Sequence, residues 1–283
     1  MQTSTTNLPL AVGWTFGTLT SMLSMGIAAR ELSVELAPHH MALYRNIICL
    51  SLLAPFAAQA AFAAVRTRRL KGHVARNTVH FGAQWCWFYG LGALPLAEVF
   101  AVEFSAPIWA ALLASVFLGE RVSRTRAKAI ALGFVGVLVL LRPGIAIIDP
   151  ASIVVLGAAL GYAVAYVLTR SLVQGESALA VVWWMNVVQL PIGAALSVTD
   201  LAVPSAVLLP WLAVLGLTGL SSHFCLSRAL KHGDVSVVTP LDFLRLPLAA
   251  IIAWLVYDEA VDPFLGLGAT LILAANWLNI RRG

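Results

Sequence analysis

An all-α membrane protein of ten transmembrane helices, built as two inverted five-helix repeats, is what this sequence predicts. Three observations predict it. The chain of 283 residues is 60% hydrophobic and only 11% charged, with a mean hydropathy of +0.88. A soluble domain carries roughly a quarter charged residues, and a packed core alone does not need this excess of apolar ones. Charged or Pro/Gly-rich breaks then divide the chain into ten apolar runs, most near the ~20 residues that cross the hydrocarbon. Finally, the first half echoes in the second at a shift of about 139 residues, which places the repeats at 1–144 and 145–283.

The runs are helices because lipid offers no partner for a backbone N–H or C=O. The first, 9–29, begins within MQTSTTNLPLAVGW, which has no basic segment and no small-residue cleavage site before it; a retained helix is expected there. The second, 40–63, ends before the basic stretch RTRRLKGHVAR. The third, 76–93, closes on the aromatic WCWFYG, and the fourth, 95–118, carries Pro107 at its centre. A basic turn, RVSRTRAK, leads into the fifth, 126–142. The second half follows with 151–169, 178–198, 208–229, 234–257 and 263–280, and Pro247 sits inside the ninth.

Positive charge orients the set. With the N-terminus cytoplasmic, the inner connections hold Arg66, Arg68, Arg69, Lys71 and Arg76, then Arg121, Arg124, Arg126 and Lys128. Arg170, Arg228, Lys231, Arg281 and Arg282 also fall inside. The other face keeps Arg30 and Arg142 and collects the acids, among them Glu31, Glu35, Asp149 and Asp200. Both termini are therefore expected in the cytoplasm. The formal charge of +5 is a topology signal in short loops, and no nucleic-acid partner is expected.

The echo between halves pairs Cys86 with Cys225, Glu103 with Asp242, Glu120 with Glu259 and Arg142 with Arg281. Pro107 pairs with Pro247 one residue out of step. Five spans per half is odd, so the second copy enters from the opposite side. Inverted repeats are an architecture of secondary transporters, whose substrate site lies near the bilayer midplane. The three cysteines fit neither a zinc spacing nor a disulfide framework, and act as small hydrophobes.

Two long stretches carry a family resemblance. WFYGLGALPLAEVFAVEFSAPIWAALLASVFLGERVSRTRAKAIALGFVGVLVLLRPG and RALKHGDVSVVTPLDFLRLPLAAIIAWLVYDEAVDPFLGLGATLILAANWL each resemble the repeat of the EamA family of the drug/metabolite transporter superfamily. The shared pattern is an aromatic helix end, a short turn, a helix with a central proline, an apolar run ending in an acid, and a Gly-containing last helix. The resemblance covers essentially the whole chain. It implies ten helices, inverted repeats and small-metabolite transport across a bacterial inner membrane, and it implies no particular substrate. The family moves amino acids, nucleoside-like compounds, vitamins, metallophores and drugs. WFYGLGALP is also similar to the corresponding region of S-adenosylmethionine carriers. Where the family's fourth helix commonly ends in Gly-Glu, the second half here has Asp258-Glu259, so an altered turn is expected.

The candidate substrate residues are ionisable or aromatic groups in mid-span. Arg245 near the middle of the ninth run costs about 2.5–3.5 kcal/mol to insert, so it should face protein or water and find a partner. Asp242 lies three residues before it, and Glu103 holds the matching depth in the fourth run. About a pseudo-two-fold axis, Glu103 and Arg245 would approach each other. A guanidinium there can take a carboxylate or phosphate, and a carboxylate can hold an amine or a coupling proton. The plainer alternative is an ion pair that only locks helices. Pro107 and Pro247 each break a backbone bond at similar depth and suit a hinge, or a static bend. Gln84 and His223 correspond across the repeat, and Trp87, Tyr89 and Trp109 offer π faces. Arg45 and Glu98 read as an outer-gate pair. Gly13–Gly17 and Gly157–Gly161 read as helix contacts.

Enzyme signatures are missing: there is no Walker A loop, HExxH or G-x-S-x-G, and no paired metal-ligand spacing. No metal or other cofactor is expected. The reading is a secondary active transporter of a small polar or amphipathic metabolite, amino-acid-like or nucleoside-like, working by alternating access with a proton as a candidate coupling ion. The alternative is an intramembrane enzyme acting on a lipid or peptide through the two acids. The expected partners are the substrate, membrane lipid and protons, for a monomer or homodimer.

Overall fold

A computed structural model describes residues 7–59, 62–117, 124–141, 149–172, 176–232, 241–242, 244–260 and 262–281. Among them every regular element is helical. The helices are α1 (Leu8–Leu32), α2 (Pro38–Gln59), α3 (Leu70–Ala93), α4 (Leu96–Glu103), α5 (Ala106–Phe117) and α6 (Arg124–Leu141). Then come α7 (Pro150–Leu172), α8 (Ala178–Leu196), α9 (Leu209–His232), α10 (Arg245–Tyr257) and α11 (Pro263–Arg281). Short 3-10 turns occupy Ala63–Val65 and Ala206–Leu208. Glu120, Arg121 and Arg142 lie outside the described residues.

Helix ends follow local chemistry. Asn7 Oδ1 accepts the Leu10 N–H at 3.3 Å, and Ser177 Oγ accepts that of Ala180 at 3.0 Å. Each side chain satisfies one of the donors that a first turn leaves unpaired. α3 begins at Leu70, six residues before the run read from hydropathy. Lys71 and Arg76 are thus helical residues, not loop ones.

Among the described residues, five helices are long and apolar enough to cross a membrane: Leu8–Leu32, Pro38–Gln59, Pro150–Thr169, Leu179–Leu196 and Ala206–Leu226. Shorter apolar helices cover Ala127–Leu141, Arg245–Tyr257 and Pro263–Leu278. Large apolar side chains stand on the outside, including Trp254, Leu255 and Val256 of α10 at 60%, 67% and 61% exposed. Contiguous exposed apolar surface of this kind belongs against lipid.

The chain forms two compact units that cut across the repeats: residues 1–81 with 168–242, and residues 82–167 with 243–283. In the first unit, α1 packs along α9, and α2 along α8 and α9. A Cβ on Gly17 of α1 would stand 2.9 Å from Cys225 Sγ of α9. In the second unit, α6 packs along α11, α4 against α10 and α11, and α5 against α6. There Gly161 of α7 faces Ala83 of α3, with 2.8 Å left for a Cβ. The small-residue pairs thus serve as helix contacts through their second members, since Gly13 and Gly157 have nothing within 4 Å. A close backbone approach joins Gly136 and Gly268, each of whose missing Cβ would meet the other's carbonyl oxygen at 3.0 and 2.8 Å.

The fourth run is two helices, not one kinked helix. α4 stops at Glu103 and α5 starts at Ala106, so Pro107 takes the second position of a new helix. A first turn needs no N–H from that position, so the proline is accommodated where it would have broken a continuous helix. Pro247 likewise is the third residue of α10, which begins at Arg245. Both repeats therefore restart a helix beside the ionisable residue at this depth. α10 ends at Asp258 with φ 53°. This is the left-handed turn at which the family's usual glycine would carry no side-chain penalty.

Candidate functional site

The second unit gathers an ion pair at its helix break. Arg245 Nη2 donates to Glu103 Oε1 at 3.2 Å, with the two side chains 6% and 12% exposed. Trp87 Nε1 donates to the other oxygen, Glu103 Oε2, at 2.8 Å. The guanidinium carbon lies 5.4 Å from the Phe100 ring centre and 4.8 Å from that of Phe104. A cation over two ring faces gains about 0.5–2 kcal/mol per contact, more as water is excluded. Trp87, itself 2% exposed, meets Phe100 edge to face with centroids 5.9 Å apart. A charged pair is thus set in an aromatic wall, with both carboxylate oxygens engaged.

The break is stabilised from outside. Ile108 N–H turns to Ser105 O at 2.9 Å, which takes it away from the Phe104 carbonyl. Asn276 of α11, 1% exposed, supplies the replacement: its Nδ2 donates to Phe104 O at 2.8 Å. Glu259 Oε2 accepts the Leu96 N–H at 2.9 Å and so caps the start of α4. A carboxylate there also meets the positive end of the helix dipole. The acid read as the end of an apolar run is therefore a cap for the helix that carries Glu103.

The first unit holds a second polar group that the sequence reading only partly found. Arg45, 1% exposed, donates through Nη2 to Asn46 Oδ1 at 2.9 Å and to Gln189 Oε1 at 2.8 Å. With Oε1 accepting, Gln189 Nε2 is the donor, to Asn77 O at 3.1 Å and His80 Nδ1 at 3.0 Å. The His80 and His223 rings are 6.2 Å apart. Arg76, 6% exposed, donates to Thr169 Oγ1 at 2.9 Å and to Asn77 Oδ1 at 2.7 Å. Gly219 makes room for Arg45, since a Cβ there would stand 2.9 Å from its Cδ. Arg76, Asn77 and His80 are outside the candidate set, and Gln189 reads from sequence only as interhelical glue or cavity wall. The signal was present: Arg76, His80, Gln84 and Trp87 repeat at helical spacing on α3, and all four are buried.

The other candidates fall as follows. Glu103, Arg245 and Trp87 come together. Trp109 turns to Ser105 Oγ, 3.1 Å away, and packs on Phe134. Tyr89, 40% exposed, stacks on Trp85 at 5.8 Å. Gln84 is 2% exposed, and its Oε1 has no hydrogen-bond partner among the described residues. Asp242 is half-buried in the helical pair Leu241–Asp242, before the restart at Arg245. Arg45 belongs to the first unit and is held by Gln189; Glu98 belongs to the second and accepts from Ser152 Oγ at 2.7 Å.

Apolar helices with exposed apolar surface define a multi-pass membrane protein. The profile of the EamA-like transporter family matches residues 9–142 and again 149–281. The chain belongs to that family. A riboflavin transporter of Rhizobium johnstonii is 32% identical over 228 residues, covering 80% of this chain and 76% of that protein. An S-adenosylmethionine uptake transporter of Rickettsia bellii is 25% identical over 94% of this chain and 91% of its own. One solved crystal structure, 16% identical, shares the fold with a TM-score of 0.66 over 96% of both chains. The chain is a transporter, not an enzyme.

Proposed function

We propose that this protein is a secondary active carrier that moves a small polar or amphipathic metabolite across the bacterial inner membrane by alternating access. The observation that carries the proposal is the buried Glu103–Arg245 pair where α4 ends and α10 begins. Discontinuous helices with ionisable ends are how such carriers present polar groups inside lipid. Opening the pair frees a guanidinium for an anionic substrate group and a carboxylate for an amine or a proton. The aromatic wall of Trp87, Phe100 and Phe104 suits a ring-bearing solute. The relatives' names point the same way: riboflavin and S-adenosylmethionine both join a heteroaromatic ring to a polar chain, within the nucleoside-like class.

On this reading Asp242, Gln84, Tyr89, Trp109 and His223 serve the substrate, Pro107 and Pro247 are hinges, and Arg45 and Glu98 each act in outer gating. Ten spans in two inverted repeats complete it. Reciprocal packing supports the inversion: α1 meets α9 through Gly17, as α7 meets α3 through Gly161.

The test is uptake into liposomes containing purified protein, with riboflavin, S-adenosylmethionine, amino acids and nucleosides as solutes. Arg245→Ala should abolish saturable uptake of the transported solute, and Glu103→Gln should remove its dependence on an imposed proton gradient. Unchanged kinetics in Arg245→Ala would discard its role. Indifference of the parent protein to pH and to an ionophore would discard proton coupling.

A further inference from the structure

Away from both polar groups, the first unit brings together three side chains separated by most of a repeat. His39 and His40 open α2, directly after Pro38, and Asp200 follows α8. His39 Nε2 lies 3.2 Å from Asp200 Oδ2, and His40 Nε2 lies 3.5 Å from Oδ1. The two rings are 4.1 Å apart, and one donor atom from each of the three residues falls within 4.8 Å of the others. We infer that His39, His40 and Asp200 form a binding site for a borderline-soft divalent cation, with Zn2+ the best fit.

Three features carry the inference. The first is His40 itself. It is 3% exposed, and neither ring nitrogen has a hydrogen-bond partner among the described residues. A buried imidazole met only by a carboxylate at ion-pair distance recovers little of its lost hydration. Its Nε2 points at the shared carboxylate from just beyond hydrogen-bond range, where an intervening ion would bond to both.

The second is spacing. Ligands about 2.0–2.1 Å from a tetrahedral ion stand roughly 3.4 Å from one another. The two nitrogen–oxygen separations bracket that distance. Two nitrogens and a carboxylate leave a fourth position for water, the open pattern of three protein ligands. Hard cations such as Mg2+ and Ca2+ prefer all-oxygen shells, and imidazole favours zinc and its neighbours in the first transition row.

The third is support and access. The segment after α8 is tied to the opposite strand of chain at two points. Tyr44 donates its hydroxyl to Ala202 O at 2.9 Å, and Ser205 N–H donates to Glu35 Oε2 at 2.7 Å. That second bond holds the Glu35 carboxyl below the usual carboxylate range. Asp200 meanwhile keeps 54% of its side chain exposed, which gives an ion a way in. The carboxylate also offsets the positive end of α2, against which a bare cation would be unfavourable. A bound ion would fasten the α1–α2 connection to the end of α8.

The experiment uses the full chain, purified without a polyhistidine tag, held in detergent and stripped with a chelator. Calorimetric titration with zinc chloride should show one saturable site per chain and a zinc-dependent rise in unfolding temperature. Magnesium and calcium chloride should produce neither. Even an outer-shell partner of a ligand is worth roughly 10–100-fold in metal affinity, so His40→Ala and Asp200→Asn should each weaken zinc binding by about tenfold or more. His232→Gln, away from the cluster, should leave binding unchanged. Should His40→Ala not fold, His39→Gln takes its place, and cobalt(II) absorption of the parent chain reports nitrogen and oxygen ligation directly. The inference is overturned by the absence of saturable zinc binding. Binding that persists unchanged in the cluster variants, or that falls only in His232→Gln, overturns it equally. These readouts stand apart from transport.

Discussion

Arg245 shows what one residue must satisfy to remain in a membrane helix. Its charge is met by Glu103, its faces by Phe100 and Phe104, and its partner's second oxygen by Trp87. Removing one member of a buried pair leaves the other uncompensated, at about 3–5 kcal/mol. Glu103→Ala should therefore lower unfolding stability in detergent by that amount, measured by chemical or thermal denaturation. The double variant Glu103→Leu with Arg245→Met should recover most of the loss while remaining inactive in uptake. A stable single variant would show that the pair is not sealed from water. The mutual approach of these two residues was legible from the sequence, because ions in apolar runs are rare and costly and so call for a partner. Trp87's bond was not, since an indole N–H in an aromatic run carries no mark of its partner. Nor was the Arg45–Gln189–His80 group, because Arg76 was counted with the basic loop that precedes it.

At the scale of elements, the decisive feature is the interruption between α4 and α5. A proline in an apolar run predicts a bend, and the chain instead restarts a helix one residue ahead of it. That choice depends on Asn276, whose amide takes the Phe104 carbonyl. Leaving such a group unsatisfied costs about 1–3 kcal/mol. Asn276→Leu should destabilise the protein by that amount, and Asn276→Asp, which can only accept when ionised, should do no better. Stability unchanged in both, measured by thermal unfolding in detergent, would show that the break needs no partner. From sequence Asn276 reads as interhelical glue or cavity wall, with nothing to choose between them. Its partner lies 172 positions away, beyond anything periodicity can report.

For the whole molecule, the expected topology is ten spans with both termini in the cytoplasm. A green fluorescent protein fused at the C-terminus should fluoresce, and alkaline phosphatase fused at the same place should stay inactive. The opposite pattern would invert the topology and place the His39–Asp200 cluster on the inner face. The compact units do not follow the repeats, and each draws helices from both. Hydropathy could not foresee this, because it marks which segments enter lipid and says nothing of which neighbours they choose once there.

The amino-acid order alone determined that the chain is helical, membrane-embedded, duplicated and a member of a transporter family. The first two rest on local rules, since backbone bonds must close within lipid and apolar length must match its thickness; the last two rest on the echo between halves and on the motifs that resemble the family's repeat. Tertiary structure alone decided where the fourth run breaks, which residue caps it, and which polar side chains meet. Such choices depend on contacts between segments far apart in the chain, where packing and unsatisfied hydrogen bonds outweigh any local preference.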